Sequence, residues 1–245
     1  MTGLIISIIK IIFLLGFLIL IHEGGHFFVA KFCNVKVNQF AIGFGPKIWS
    51  KEGRETTYTI RLIPLGGFVS MEGEEEQSNE ERAFNKASIA KRILIVSAGA
   101  LVNIVFGIIV YFILVLIIKK NLIFSMQATG SYMIEFFKSL KMLFTGNIGM
   151  QDLTGPVGIS QIVSATSGIK EYIYILSAIS LSLGITNLLP IPALDGGKIL
   201  LLIIEAIRKK PLKQNTEITI QLVGFSLLII LSIFITYNDI LRIIK

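Results

Sequence analysis

Two histidines four residues apart, with a glutamate directly after the first, stand at His22-Glu23-Gly24-Gly25-His26. On a helix, residues four apart share a face. Their imidazoles can converge on a single Zn²⁺ at about 2.0–2.1 Å each. The carboxylate of Glu23 can then reach an attacking water and take its proton. This is the H-E-x-x-H pattern of zinc hydrolysis. Bound zinc lowers the pKa of water to about 7 and polarises a carbonyl. Amide hydrolysis needs both effects, because water is a poor nucleophile and an amide a poor electrophile. The chain has 2 histidines, and this pattern uses both. All three polar residues sit at the end of an apolar run, where a charged side chain costs about 2.5–3.5 kcal/mol on insertion scales. Such groups persist when they face a cavity, a partner or a metal. The plainer alternative is a pair of interfacial histidines beside a snorkelling glutamate.

A catalytic zinc takes three protein ligands and keeps one position open. Cys33, seven residues past His26, is on roughly the same face but about 10 Å farther along the helix. Its plain reading is a reduced, half-buried thiol. Two carboxylates, Asp195 and Glu205, are flanked by apolar residues. Glu205 precedes Arg208-Lys209-Lys210 and reads as ion-paired at the surface. Asp195 follows Asn187-Leu-Leu-Pro-Ile-Pro-Ala-Leu and precedes Gly196-Gly197. Irregular backbone at membrane depth is tolerated only inside protein or beside a wet cavity. Asp195 is therefore the better third ligand.

The elements that must position these residues are membrane spans. Of the 245 residues, 53% are hydrophobic and 16% charged; soluble domains run at about 45–50% and 25%. Mean hydropathy is +0.76. The 22 glycines have no period and there is 1 cysteine, which excludes collagen-like and disulfide-rich classes. The net charge of +7 is explained by membrane topology rather than nucleic acid, since cytoplasmic loops collect Lys and Arg. Runs at about 3–29, 93–118, 172–189 and 218–237 approach or reach the roughly 20 residues that cross a bilayer. The first has no small-residue cleavage pattern and reads as a retained span rather than a signal peptide. Lys10, about 18 Å before His22, is expected to snorkel outward. The apolar piece 199–207 is too short to span.

The connections carry unequal charge. Residues 31–92 hold ten Lys or Arg, residues 198–213 five, and the 52 residues 119–170 also five. The positive-inside rule places the first and third connections in the cytoplasm, and both termini outside it. Within the first connection, Phe40 to Trp49 and Thr56 to Ile63 read as two strands about a Lys51-Glu52-Gly53 turn. Trp49 and Tyr58 read as interface anchors. Residues 72–82 read as a solvated acidic linker, 131–144 as an amphipathic surface helix, and Gly155-Pro156 as a turn before the third span.

Several segments together resemble the site-2 protease family of intramembrane zinc metalloproteases, in particular the bacterial regulator of sigma-E protease branch. They are His22–His26, Ile42-Gly43-Phe44-Gly45-Pro46, residues 62–69, Gly155-Pro156-Val157-Gly158-Ile159 and residues 187–197. The pairing of the histidine motif with a late Leu-Asp-Gly carries the likeness. The resemblance implies a zinc-dependent protease, with His22, His26 and Asp195 as ligands and Glu23 as general base. The expected fold is an all-α membrane protein, one domain over 1–245, with about four transmembrane helices. A membrane-reentrant β-hairpin at about 40–69 lies between helices 1 and 2 and lines the cleft. Asn187 is expected to hold substrate, together with the hairpin glycines Gly43, Gly45, Gly66 and Gly67. The expected substrates are single-span membrane proteins of the anti-sigma-factor type, already cut by an upstream site-1 type protease, and signal-peptide remnants. The expected location is a bacterial inner membrane. A helical peptide bond must be unwound before attack, and strand addition to a sheet edge replaces the lost hydrogen bonds. The segment around Phe40 to Leu62 is expected to provide that edge. Members of this branch usually carry a PDZ domain between the second and third spans; the 53 residues from Lys119 to Glu171 are too few for one.

A divalent-metal transporter is the alternative from another class, since intramembrane His and Asp can form an ion path. Transporters tend to show more spans, inverted repeats and polar residues strung along a path. This sequence has one polar cluster and no internal repeat. A catalytically silent relative is a third reading, against which an intact Glu23 argues.

Overall fold

The computed structural model describes residues 2–145 and 154–244. In chain order it runs α1 (Thr2–Phe32), β1 (Val37–Glu52), β2 (Thr57–Met71), a 3-10 turn (Phe84–Lys86), α2 (Ile89–Lys119), α3 (Leu122–Phe144), α4 (Pro156–Ala165), α5 (Ile169–Asn187), α6 (Asp195–Arg208) and α7 (Gln214–Ile244). Among the described residues, α1, α2, α5 and α7 make 4 helices long and apolar enough to cross a membrane. At 1.5 Å per residue, the 31 residues of α1 extend about 46 Å, beyond the roughly 30 Å of a hydrocarbon core.

The strands are longer than the sequence pattern predicts and both bend. Residues 47–52 pair antiparallel with 57–61, as a hairpin closed by Gly53 N–H donating to Thr56 O at 2.9 Å. Gln39–Ile42 have neighbours on both sides, Thr57–Ile60 on one and Gly67–Ser70 on the other. The sheet thus reads across as 47–52, 57–61, 39–42, 67–71, and residues 67–71 form one edge. The bend in β1 falls at Gly43 (φ +88°) and Gly45 (φ +81°), where a side chain would be strained. The bent end presents Phe44, Ile48, Trp49, Ile60, Leu62 and Ile63 outward, an apolar tip suited to lipid. Tyr58 lies away from it, packed on Phe27 and Phe40.

The chain divides into two compact units. One comprises Ile12–Ile104 and Ser182–Phe225. Its core joins Ala30, Cys33, Val35 and Val37 to Met71, Phe84, Ile95, Val96 and Leu202. Here the acidic stretch 72–82 departs from a solvated linker. Glu74 pairs with Lys198, Glu80 with Lys36, and Arg82 with Glu55, while Phe84 N–H donates to Glu72 O. Its partners come from α6 (Lys198), the α1–β1 connection (Lys36) and the hairpin turn (Glu55), which local composition cannot reveal. Burial alone would lower the Lys198 pKa, but the Glu74 carboxylate outweighs it and holds the pKa above its ordinary value.

The other unit comprises Met1–Ile11, Val105–Leu181 and Ser226–Lys245. Here Lys10 does not snorkel: its Nζ donates to Thr166 O at 2.8 Å, and its own carbonyl accepts from Tyr172 Oη. The helix expected at 131–144 begins at Leu122, because the Asn121 side chain accepts from Phe124 N–H and caps an apolar first turn that charge spacing does not mark. Gly155-Pro156 is a helix start rather than a turn, with proline at the first helical position. Its cap comes from the buried Asp239 of α7, whose Oδ2 accepts from Gly155 and Gly158 N–H at 3.0 and 2.8 Å.

Candidate metal centre

The centre lies within one unit and is built by α1, α2 and the start of α6. His22 and His26 face the same way on α1, and their Nε2 atoms stand 3.2 Å apart. Asp195, the first residue of α6, brings Oδ2 to 3.2 Å from Nε2 of His22 and 3.5 Å from Nε2 of His26. It gets there because α5 stops at Asn187 and Leu188–Leu194 fold back tightly, with Ile191 N–H donating to Leu189 O and Leu194 N–H to Ile191 O. Gly196 and Gly197 pack on the carbonyls of Leu188, Leu189 and Ile191, where a Cβ would collide. The N-terminus of α6 also favours an anion at Asp195.

The donor set fits zinc. Four ligands at about 2.0–2.1 Å in a tetrahedron lie about 3.3–3.4 Å from one another, against the observed 3.2–3.5 Å. Asp195 Oδ2 is buried with the two histidine Nε2 atoms as its near polar neighbours, and a cation seated among the three would satisfy all of them. His26 Nδ1 lies 2.9 Å from Ile95 O. A carbonyl only accepts, so the proton sits on Nδ1 and Nε2 is bare for a metal.

Helix α2 comes close enough to do this because two glycines meet there. A Cβ on Gly25 would lie 2.7 Å from Ala98 O, and one on Gly99 would strike the His26 ring. Ile95, Gly99 and Asn103 are spaced by four and form the face of α2 turned to the histidines. Asn103 is fully buried and its Nδ2 lies 3.3 Å from Nδ1 of His22. The sequence offers a signal for it: an amide in the middle of a chargeless apolar span.

Beside the centre opens a cleft of about 620 Å³ whose walls include Glu23, Gly67–Val69, Met71, Glu74, Lys198 and the α7 residues Gln214, Glu217, Gln221 and Phe225. Gly67 packs on Glu23, whose Cγ a Cβ there would meet at 2.9 Å. Of the expected substrate-holding residues, the structure brings Gly67 to this cleft. Gly43 and Gly45 bend β1, with Gly43 against the backbone of Arg61 and Ile63, and Gly66 packs under Phe44. Asn187 donates from Nδ2 to Leu183 O at 3.0 Å, one turn back on its own helix. Cys33 is buried in the core as a free thiol. Glu205 pairs with Arg92, not with the basic run that follows it.

A family model described as Peptidase family M50 matches residues 10–231. A protein of Clostridium acetobutylicum named as a zinc metalloprotease is 30% identical, with 96% of this chain and 97% of the relative covered. One of Clostridium perfringens, similarly named, is 28% identical over 91% and 95%. A protein of Enterococcus faecalis named as the protease Eep is 26% identical over 96% and 99%. These alignments run over 329, 319 and 418 positions, against 245 residues in this chain, so the relatives carry inserted sequence.

Proposed function

The chain belongs to peptidase family M50 and is an intramembrane zinc metalloprotease, and from that premise we propose that it cuts single-span membrane proteins within or beside the transmembrane segment. The observation that carries this reading is the convergence of His22 Nε2, His26 Nε2 and Asp195 Oδ2 beside a cleft bordered by a free sheet edge. The three side chains would hold the zinc. When bound, zinc supplies Lewis-acid polarisation of the scissile carbonyl and a more acidic water. Glu23, in the cleft wall next to the histidines, would take the proton of the attacking water and pass it to the departing amine.

The edge that receives the substrate is residues 67–71, rather than the Phe40–Leu62 region. Gln39–Ile42 already have a strand on each side, whereas among the described residues 67–71 pair with 37–42 alone and border the cleft. An unwound substrate segment laid along this edge gains backbone hydrogen bonds in place of its helical ones. Gly67 brings the edge against Glu23, so the bound segment passes the base. Asn187 would join in by exchanging its bond to Leu183 O for one to the substrate backbone.

Anti-sigma-factor type proteins trimmed by a site-1 type protease, and signal-peptide remnants, are the proposed substrates. The proposed setting is a bacterial cell membrane with both termini outside the cytoplasm, in keeping with the basic first and third connections. The short interval between α2 and α5 leaves no room for a PDZ domain, and the extra length of the relatives fits that difference.

The test is cleavage of a single-span reporter by purified protein in detergent. Wild type, Glu23→Gln and a chelator-treated sample are compared, with zinc content measured in each. Product from wild type alone, with zinc retained in Glu23→Gln, is expected. Equal product in all three would overturn the assignment.

A further inference from the structure

The two histidines of the centre are held by different kinds of partner. His26 is fixed by Ile95 O, which leaves one arrangement of its proton. His22 faces the side-chain amide of Asn103, and an amide can either donate or accept. With Nδ2 toward the ring, as the structure has it, the amide donates to Nδ1. The proton of a neutral imidazole then sits on Nε2, the atom 3.2 Å from both Nε2 of His26 and Oδ2 of Asp195. That arrangement suits a carboxylate neighbour and is incompatible with a metal bond. Turning the amide by half a turn presents Oδ1, which accepts from Nδ1–H and bares Nε2.

We propose that Asn103 is a positioning residue for the metal: its amide oxygen, accepting from His22 Nδ1–H, orients the ring and sets the tautomer that ligates. This rests on the assignment of His22, His26 and Asp195 as ligands. Placement argues that it is built for this. Asn103 is fully buried in a span without charges. It lies two turns from Ile95 on the same face of α2, as His22 lies one turn from His26 on α1. A polar side chain at such a site is costly unless its hydrogen bonds are used. Among the described residues the neighbour of His22 Nδ1 on α2 is the Asn103 side chain rather than a carbonyl, so a side chain supplies the acceptor. Loss of an outer partner of a metal-bound histidine typically weakens metal binding about 10–100-fold.

The experiment uses the full chain in detergent. Zinc affinity is measured by chelator competition, and Co²⁺-substituted protein gives a visible spectrum that reports the ligand geometry. Asn103→Leu keeps the volume and removes the acceptor; Asn103→Asp keeps an acceptor in place and removes the donor. The leucine variant is expected to bind zinc about 10–100-fold more weakly with an altered Co²⁺ spectrum, and the aspartate variant to stay close to wild type. Asn103→Ala takes the place of leucine should that variant not fold, as judged by thermal unfolding of the zinc-free protein. Unchanged affinity and spectrum in the leucine or alanine variant would overturn the proposal. So would a loss in Asn103→Asp equal to that in leucine, since His22 would then need the amide as donor. His22→Ala, run alongside, tests the ligand assignment itself: zinc binding as tight as wild type there would sink the metal centre, independently of Asn103.

Discussion

Adding one methyl group at Gly99 should dismantle the metal centre without touching a ligand. A Cβ at this position would lie 2.8 Å from both Cδ2 and Cε1 of His26, and closer still to Nε2. Ordinary contact begins near 3.4 Å, so the ring must retreat by more than about 0.6 Å, whereas metal sites tolerate about 0.2 Å in ligand distance. The ring cannot yield freely. Its Nδ1 is bonded to Ile95 O, four residues before Gly99 on α2. A shift of α2 instead is opposed by Gly25, which already lies against the Ala98 carbonyl. Overpacking of this kind typically costs about 1–3 kcal/mol, which leaves a folded protein to measure. Gly99→Ala is therefore expected to lose zinc at least about tenfold more readily than wild type and to lose cleavage, while its zinc-free form unfolds within a few degrees of the zinc-free wild type. Zinc content per chain, chelator competition and reporter cleavage are the assays. Stoichiometric zinc with wild-type turnover would refute the reasoning, because it would mean that α2 does not set the position of His26.

Three further outcomes follow from other contacts. The pair Arg92–Glu205 is bidentate and mostly buried, with side chains 12% and 16% exposed, so Arg92→Leu should destabilise by about 3–5 kcal/mol and Arg92→Leu with Glu205→Leu by much less; equal losses in thermal unfolding would contradict the pairing. Arg82 first, then Lys31, holds the Glu55 carboxyl at about 2, below its ordinary 4.5. That contribution is present above pH 4.5 and lost as pH falls toward 2, so Glu55→Gln should flatten the acid limb of stability over this window, and an unchanged limb would count against the pair. Val69→Pro, at the sheet edge beside the cleft, should reduce reporter cleavage with zinc retained; full cleavage would exclude 67–71 as the receiving edge.

The spans and the candidate ligand trio were legible because each has a local signature. Apolar runs of helical length need no partner to be recognised, and His22, His26 and Asp195 stood out as ionisable groups where lipid or protein should be. What stayed hidden depends on contacts between distant segments. Lys10 reads as a snorkelling cation until Thr166 O is known to lie within reach. The acidic stretch 72–82 reads as linker because its partners Lys36, Glu55 and Lys198 come from three separate places in the chain. The sheet edge beside the cleft is hidden in the sequence for a related reason. Alternation marks Thr57–Leu62 as a strand, but only the pairing shows that its neighbour Gln39–Ile42 is interior and that 67–71 is the border. Gly99 and Asn103 sit in a span without charges, where no ionisable group marks the site, although an amide there is itself a polar exception.

Charge balance explains how such a centre can sit at the end of an apolar span. The carboxyl and amino side chains in the cleft wall are Glu23, Asp195, Glu74, Glu75, Glu217 and Lys198. Lys198 and Glu74 neutralise each other through a direct ion pair. Glu75 is exposed, and Glu217 lies at the start of α7, where the helix N-terminus favours an anion and water can reach. The innermost pair, Glu23 and Asp195, is left with two negative charges when both are ionised, against two neutral histidines. A divalent cation cancels that charge, and a monovalent one does not. The same residues that make the span expensive for the empty protein therefore make zinc binding favourable. With zinc bound, Glu23, which would take up a proton during catalysis, would sit beside a positive ion in a partly buried site, where the electrostatic effect of each is larger than it would be in solution.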